Sequence, residues 1–277
     1  MNTKTKKILS YLWTYTLLIV ISMTFLFPCL WIILSSFSKG GDLHNFNGFF
    51  PTEFSFDNFI KLFTDTEISN YPRWLGNTLF IAVMNTIFST ILVIGTAYVI
   101  SYFQFKARKP LMKITLVLSM FPSFMGMTAV YLLMTQFHVV DNVLGLIVIY
   151  SCTAPMGYLV QKGFFDTIPQ SIYEAAKIDG ATNFRIFRTI TLPLAKPIIV
   201  YTALTAFTWP WSDFILPKLL LLDKNNWTVA VGLLQLPASE FSRFAAGSVF
   251  IAVPIVLLYF LLVKNMVNGL TSGAVKG

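Results

Sequence analysis

Charge-free windows of about twenty apolar residues recur along this chain, each closed by basic or aromatic positions. A hydrocarbon core about 30 Å thick is crossed by about 20 helical residues. Six windows therefore predict six spans, at 12–34, 75–103, 114–135, 144–160, 198–216 and 244–263. Arg243 and Lys264 bracket the last, and Trp74 and Tyr102 mark the interfaces of the second. Two windows differ from the rest. The fourth is short and holds Ser151, Thr153, Pro155 and Gly157, and the fifth holds Pro210, Trp211 and Asp213, with Pro217 just after them. Broken helices with polar groups are tolerated in a bilayer where they line a cavity or lie buried in protein. Ser151, Thr153, Trp211 and Asp213 are therefore candidates for lining a translocation path. Asp213 falls late in its window, where a place in the outer interface explains it equally well.

Composition agrees with the windows. Of 277 residues 56% are hydrophobic and 12% charged, and the mean hydropathy is +0.70, too apolar for a soluble domain. The expected class is an all-α integral membrane protein forming a single domain over residues 1–277. A net charge of +8 would suit nucleic acid if the bases shared one face, but they are scattered through loops beside the spans. Fourteen Lys and Arg fall on one side (the N-tail, 104–113, 161–197 and the tail 264–277) and six on the other. The positive-inside rule then places both termini and the 163–197 loop in the cytoplasm, and the loops 38–73 and 223–242 outside. Lys4, Lys6 and Lys7 before an apolar run resemble the opening of a signal peptide; the uncharged run from Ile8 to Ser38 is too long for one and is expected to stay as the first span. Cys29 and Cys152 lie in apolar runs as small hydrophobes. His44 and His138 are isolated, and no HExxH or CxxC spacing offers a metal site.

The external loop 38–73 holds five acids, Asp42, Glu53, Asp57, Asp65 and Glu67, and phenylalanines at 46, 49, 50, 54, 56, 59 and 63. The rings are expected either to cap helix ends and reach the headgroups or to form a docking surface. In the second external loop the apolar run 229–236 is costly to leave in water, so it is expected to pack on its own helices or on another protein.

The stretch from Ile168 to Pro197 is the least lipid-like part of the positive side. Ser171 with Glu174 has the spacing of a capping box, Ala175 and Ala176 are strong helix formers, and Gly180 is a left-handed stop. A second short helix is predicted from a Thr182 cap, with Phe184, Phe187 and Ile190 along one face, ending at Pro193. Two helices around a glycine elbow form a protruding knob. No GxxxxGK[ST] loop, nucleophile elbow or paired carboxylates accompany it, which argues against an enzyme. A channel, a secondary transporter, or the membrane half of a machine with a separate motor remain.

The spacing in that stretch separates these. Glu174, Ala175, Ala176, Gly180, Ile190, Leu192 and Pro193 match the EAA signature of the permease subunits of ABC importers. Over nearly its whole length the chain resembles the carbohydrate-uptake permeases of the maltose type, specifically the six-span subunit. The run at 211–217 resembles that family's fifth-span motif, with Ser212 where the family more usually has Asn and Asp213 where it often has Glu. The run at 268–277 resembles its C-terminal tail.

The resemblance implies a type I importer fold that works as a heterodimer with a second permease, two ATPase subunits and an extracytoplasmic sugar-binding protein. It places the protein in a bacterial cytoplasmic membrane, as the subunit that couples ATP hydrolysis elsewhere to alternating access for an oligosaccharide such as a maltodextrin. The chain itself would bind no cofactor, with ATP and Mg held by the ATPase. Glu174, Ala175, Ala176, Asp179, Gly180, Ile190, Leu192 and Pro193 would form the coupling site. Thr271, Ser272, Gly273 and Lys276 would insert between the ATPase subunits. The plainer alternatives are that Glu174 only closes a capping box and that the tail is a loose end. The competing function is an ion-coupled secondary transporter using Asp213; a membrane scaffold without transport would leave the EAA spacing to chance.

Overall fold

The structure, a computed structural model, describes residues 3–39, 49–51 and 53–274. Among them regular structure is helical, apart from one isolated bridge between Ser38 and Phe54. In order the helices are α1 (Thr3–Ser36), α2 (Asp57–Thr64), α3 (Tyr71–Tyr102), α4 (Arg108–Ser119), α5 (Ser123–Gln136), α6 (Val143–Thr153) and α7 (Leu159–Phe165). They continue as α8 (Gln170–Ile178), α9 (Asn183–Ile186), α10 (Leu192–Leu194), α11 (Lys196–Ser212), α12 (Ile215–Leu220), α13 (Val229–Leu234) and α14 (Phe241–Ala274).

Three stretches are by themselves long and apolar enough to cross a bilayer, Leu9–Ser36, Tyr71–Tyr102 and Ala238–Val263. Two bent pairs raise the count to five if each is one span: α4 with α5, and the run from Asn183 to Leu194 with α11. The shorter apolar helix α6 occupies the window from 144 onward and gives way to a 3-10 turn at Ala154–Gly157 before α7. The interruption falls at Pro155 and Gly157. Likewise α11 ends at Ser212, directly before Asp213, and α12 begins two residues later.

Two units make up the chain, Met1–Tyr71 with Leu233–Ala252, and Pro72–Gly232 with Val253–Gly277. In the first, Asn58 Nδ2 donates to the carbonyls of Ser36 (3.0 Å) and Ser38 (2.7 Å), pairing backbone groups that the end of α1 leaves open. Arg243, only 4% exposed, sits 3.1 Å from both Asp65 and Glu240, so its buried charge is paired twice. Of the loop's phenylalanines, Phe59 and Phe63 pack on Phe250 at ring separations of 5.8 and 5.1 Å, which joins α2 to the side of α14. Phe50, Phe54 and Phe56 stay exposed, and Phe46 and Asp42 lie outside the described residues.

The second unit is organised on α3. Its core holds Ile94, Ala97, Tyr98, Ile100, Tyr158, Phe165, Ala195 and Ile198, which joins α3 to α7 and α11. Polar side chains cross between the same helices. Asn85 Nδ2 donates to the Ala206 carbonyl (2.7 Å) while its Oδ1 accepts from Ser89 (2.6 Å), and Gln161 Nε2 donates to Thr202 Oγ1 (3.0 Å). In an apolar surrounding such groups need partners, so each pair fixes register as well as contact.

At the Tyr71 end of α3 the 223–232 segment is fastened down. Trp74 Nε1 donates to the Lys224 carbonyl (2.8 Å), Asn77 Nδ2 to the carbonyls of Asn225 and Trp227, and Thr78 Oγ1 accepts from the Val229 N–H (2.8 Å). Val229 and Val231 are fully buried, so the apolar run packs on its own helix. Gly232 is required there: a Cβ would lie 2.1 Å from the Trp74 ring. Asp141, with φ of 62°, accepts the N–H groups of Leu222 and Asp223 at its carboxylate and the Asn226 amide at its carbonyl. This ties the α5–α6 turn to the same segment.

Candidate functional site

The stretch from Ile168 to Pro197 folds as a knob with its own small core. Tyr173, Ala176 and Ile186 are buried, and Tyr102, Ile168, Ala181 and Ile190 pack around them. Helix α8 begins at Gln170 with Pro169 as its N-cap and no side-chain cap. Proline supplies the helical φ two residues earlier than expected, so Ser171 lies inside the first turn and the Ser171–Glu174 box does not form. Glu174 is exposed and, among the described residues, has no hydrogen-bond or ion-pair partner.

The elbow is a Schellman close. Gly180 has φ of +78°, the Gly180 N–H donates to Lys177 O (3.0 Å), and the Ala181 N–H donates to Ala176 O (2.9 Å). Thr182 then caps α9, its Oγ1 accepting from the Arg185 N–H. Past Ile186 the winding widens into a π turn at Phe187–Thr191 before α10. Helical winding thus runs past Pro193 and breaks at Ala195. The wider turn leaves room for a ring that an α-turn would drive into the carbonyl four residues back. The run from Asn183 to Leu194 meets α11 at 77°.

The two alanines of the motif face opposite ways. Ala176 is buried beneath Tyr173 and Ile186, whereas Ala175 is exposed beside Glu174. Ile190 packs inward against the small core and Leu192 against the larger one, while Pro193 and Asp179 are exposed. Ile178 and Phe184 are 87% and 70% exposed, so of the predicted face Phe184 points out while Phe187 and Ile190 turn in. The outer surface of the knob includes Glu174, Ala175, Ile178, Asp179 and Phe184, with Lys177 and Arg185 also exposed. Two large apolar side chains left in water beside an unpaired carboxylate describe a surface built to be covered.

What anchors the knob is an aromatic column on the last turns of α3, of which the sequence marks only Tyr102, as an interface residue. Tyr98 stacks on Tyr102 (5.1 Å), Tyr102 meets Tyr173 edge-on (5.0 Å), and Phe187 lies 4.6 Å from Tyr98. Lys177 Nζ sits 5.2 Å from the Tyr102 ring, and the Tyr102 hydroxyl donates to Asn183 Oδ1 at 3.3 Å. The signal present in the sequence is the pair of tyrosines four apart at the helix end.

A polar latch holds the other side of the knob. Asp166 accepts from Ser101 Oγ (2.6 Å) and from the buried Lys162 ammonium. Burial alone would raise the Asp166 pKa, but the hydrogen bonds from Lys162 and Ser101, with the charges of Lys162 and Arg108, outweigh it and hold the carboxyl below its ordinary value. Burial raises the Tyr173 hydroxyl above its usual range.

The predicted path residues are placed as follows. Asp213 caps the broken end of α11, and its Oδ2 accepts from the Tyr150 hydroxyl at 2.7 Å, which binds α6 to that break. Trp211 and Ser151 are buried, and the Trp211 indole N–H and the Ser151 hydroxyl make no hydrogen bond within the described chain. Thr153 is exposed and bonds back to the Ile149 carbonyl (2.8 Å). Of the four, only Asp213 is joined to another helix by a hydrogen bond among the described residues, through Tyr150. Thr271, Ser272 and Gly273 fall in the last turns of α14, and Lys276 lies outside the described residues.

Comparison with known proteins identifies this architecture. Residues 91–271 match the family model described as the binding-protein-dependent transport system inner membrane component. The maltodextrin transport system permease protein MalD of Streptococcus pneumoniae is 38% identical over 99% of this chain and 98% of its own length. The galactooligosaccharides transport system permease protein GanQ of Bacillus subtilis is 34% identical over the same shares. A chain in the crystal structure of a bacterial ABC transporter involved in the import of alginate superposes with a TM-score of 0.79 at 22% identity, covering 95% of this chain and 98% of that one. That likeness establishes the helical fold.

Proposed function

The chain belongs to the binding-protein-dependent transport system inner membrane component family, and we propose that this multi-pass membrane protein is the permease subunit of an ATP-driven sugar importer. The cargo we infer is an oligosaccharide, with a maltodextrin first in line because the relative at 38% identity is a maltodextrin permease. The 34% identical galactooligosaccharide permease makes the sugar the point to test.

The observation that carries the reading is the two-sided knob. Its inner side is pinned to α3, and its outer side presents Glu174, Ala175, Ile178 and Phe184 without a partner among the described residues. A cytoplasmic ATPase subunit with an apolar cleft and a basic group for Glu174 would cover it. Closure of an ATPase dimer around ATP and Mg would then move the knob as a lever, because the Schellman elbow and the aromatic column leave it little freedom of its own. A second permease, two ATPase copies and an external sugar-binding protein complete the assembly, in a bacterial cytoplasmic membrane. The C-terminal run through Thr271, Ser272, Gly273 and Lys276 would lie between the ATPase copies.

Proteoliposomes test this directly. Sugar uptake should require ATP and persist with proton and sodium gradients collapsed, and Glu174→Lys should abolish it while insertion stays intact. Undiminished uptake by Glu174→Lys would refute the coupling role. Uptake lost on gradient collapse with ATP held constant would favour ion coupling through Asp213. The Tyr150 hydrogen bond already gives that carboxylate a structural partner. A panel of maltodextrins and galactooligosaccharides separates the sugars.

A further inference from the structure

The knob and the 223–232 segment sit at opposite ends of one helix. At one end Tyr98 and Tyr102 hold the knob; at the other Trp74, Asn77 and Thr78 hold the segment. Trp74 and Tyr102 are 28 positions apart, about 42 Å along an α-helix. The alternative routes between the two are interrupted. The α6–α7 run is broken by the 3-10 turn at Ala154–Gly157, and the α11–α12 run is bent 77° at the knob and broken again at Asp213. Helix α3 runs its 32 residues unbroken. A broken helix absorbs a displacement at its break, whereas a continuous one passes it to its far end.

We propose that α3 is the strut that carries the state of the external 223–232 segment to the coupling knob and back, with Trp74 and Tyr102 as the positioning residues at its two ends. This rests on the importer reading above, since it needs a motor at the knob. Both ends are built for transmission. Trp74 lies over Gly232 so closely that no side chain fits between them, and it is hydrogen-bonded to the segment's backbone. Tyr102 touches both arms of the knob, Tyr173 on α8 by its ring and Asn183 on α9 by its hydroxyl. Midway, Asn85 holds α3 to α11, so a shift of α3 also drags the helix that leads to Trp211 and Asp213. Coupling of this kind is reciprocal: whatever the knob does to the segment, the segment does to the knob.

The test uses the assembled transporter in nanodiscs, with Cys29→Ser and Cys152→Ser, and Lys224→Cys carrying an environment-sensitive dye. Lys224 is exposed, and trapping the ATPase with ATP and vanadate should change the dye's emission. Tyr102→Leu should cut that change at least fivefold while the ATPase subunits still co-purify. Tyr102→Phe, which keeps the ring, should retain most of it. A full change in Tyr102→Leu overturns the strut. Loss of co-purifying ATPase in Tyr102→Leu would show that the ring merely builds the knob, which overturns its positioning role. Trp74→Phe then decides the strut from the other end: it leaves the knob untouched, and the ratio of binding-protein-stimulated to basal ATPase should fall at least fivefold. An unchanged ratio overturns the strut. A wild-type complex that holds no ATPase and shows no ATP-dependent emission change overturns the importer reading itself.

Discussion

Replacing Gly180 separates a backbone requirement from a packing one. A Cβ built at this position meets nothing within 4 Å, so no neighbour opposes a larger side chain. The φ of +78° does oppose it: an L-residue in the left-handed region costs about 1–2 kcal/mol, and a β-branched one more. Loss of glycine's freedom in the unfolded chain returns part of that, leaving a net of about 1 kcal/mol for Gly180→Ala, a few tenths for Gly180→Asn and about 2 kcal/mol or more for Gly180→Val. A cost of 1 kcal/mol multiplies the open population of the elbow about fivefold. Hydrogen exchange over residues 176–186 reads this population, because the Gly180 and Ala181 amides are the ones closed by the Schellman bonds. Exchange should rise less than twofold for Asn, about fivefold for Ala and more than tenfold for Val, with uptake falling in the same order. Asparagine is larger than alanine, so an order of Ala, Asn, Val by rising effect would refute the backbone argument.

Three further outcomes follow from contacts described above. Asp166→Asn should lower the melting temperature by an amount that is constant from pH 8 to about 5 and vanishes only as the pH falls through the depressed Asp166 pKa, below about 4; a difference already gone at pH 6 would sink the latch. Asn85→Leu removes the bond to the Ala206 carbonyl inside the membrane and should cost about 0.6 kcal/mol, at most about 2 kcal/mol, in a detergent unfolding titration; no measurable cost would show that the Asn85 bond adds nothing to the packing of α3 on α11. If Asp213 only receives the Tyr150 hydroxyl, Tyr150→Phe and Asp213→Asn should alter ATP-driven uptake by similar, small factors. Uptake abolished by Asp213→Asn and untouched by Tyr150→Phe would instead mark a transport carboxylate.

The parts legible in the sequence are those where one residue type leaves one option. Gly180 reads as a left-handed stop because only glycine is indifferent to that region, and Thr182 reads as a cap because its hydroxyl can reach a free N–H. The charge-free runs at 12–34, 75–103 and 244–263 fall in single long helices, whereas those at 114–135, 144–160 and 198–216 are bent or broken along their length. The capping box was misread because two start signals competed within three residues, and Pro169 sets the backbone before Ser171 can. The π turn before Pro193 has no sequence signature of its own. The anchoring of the knob was hidden because Tyr98 and Tyr102 lie some seventy positions before Tyr173. Two aromatic residues at a span's end look alike whether they meet lipid headgroups or a neighbouring helix. Asp141 was missed likewise, since its work is done on backbone eighty positions away.

Helix α1 has a consequence for how the protein is made. Its most apolar window holds no buried residue among those described, so that stretch is left for lipid or a partner to cover. The positive-inside rule would give the direction of its insertion to Lys4, Lys6 and Lys7, which precede the knob in synthesis.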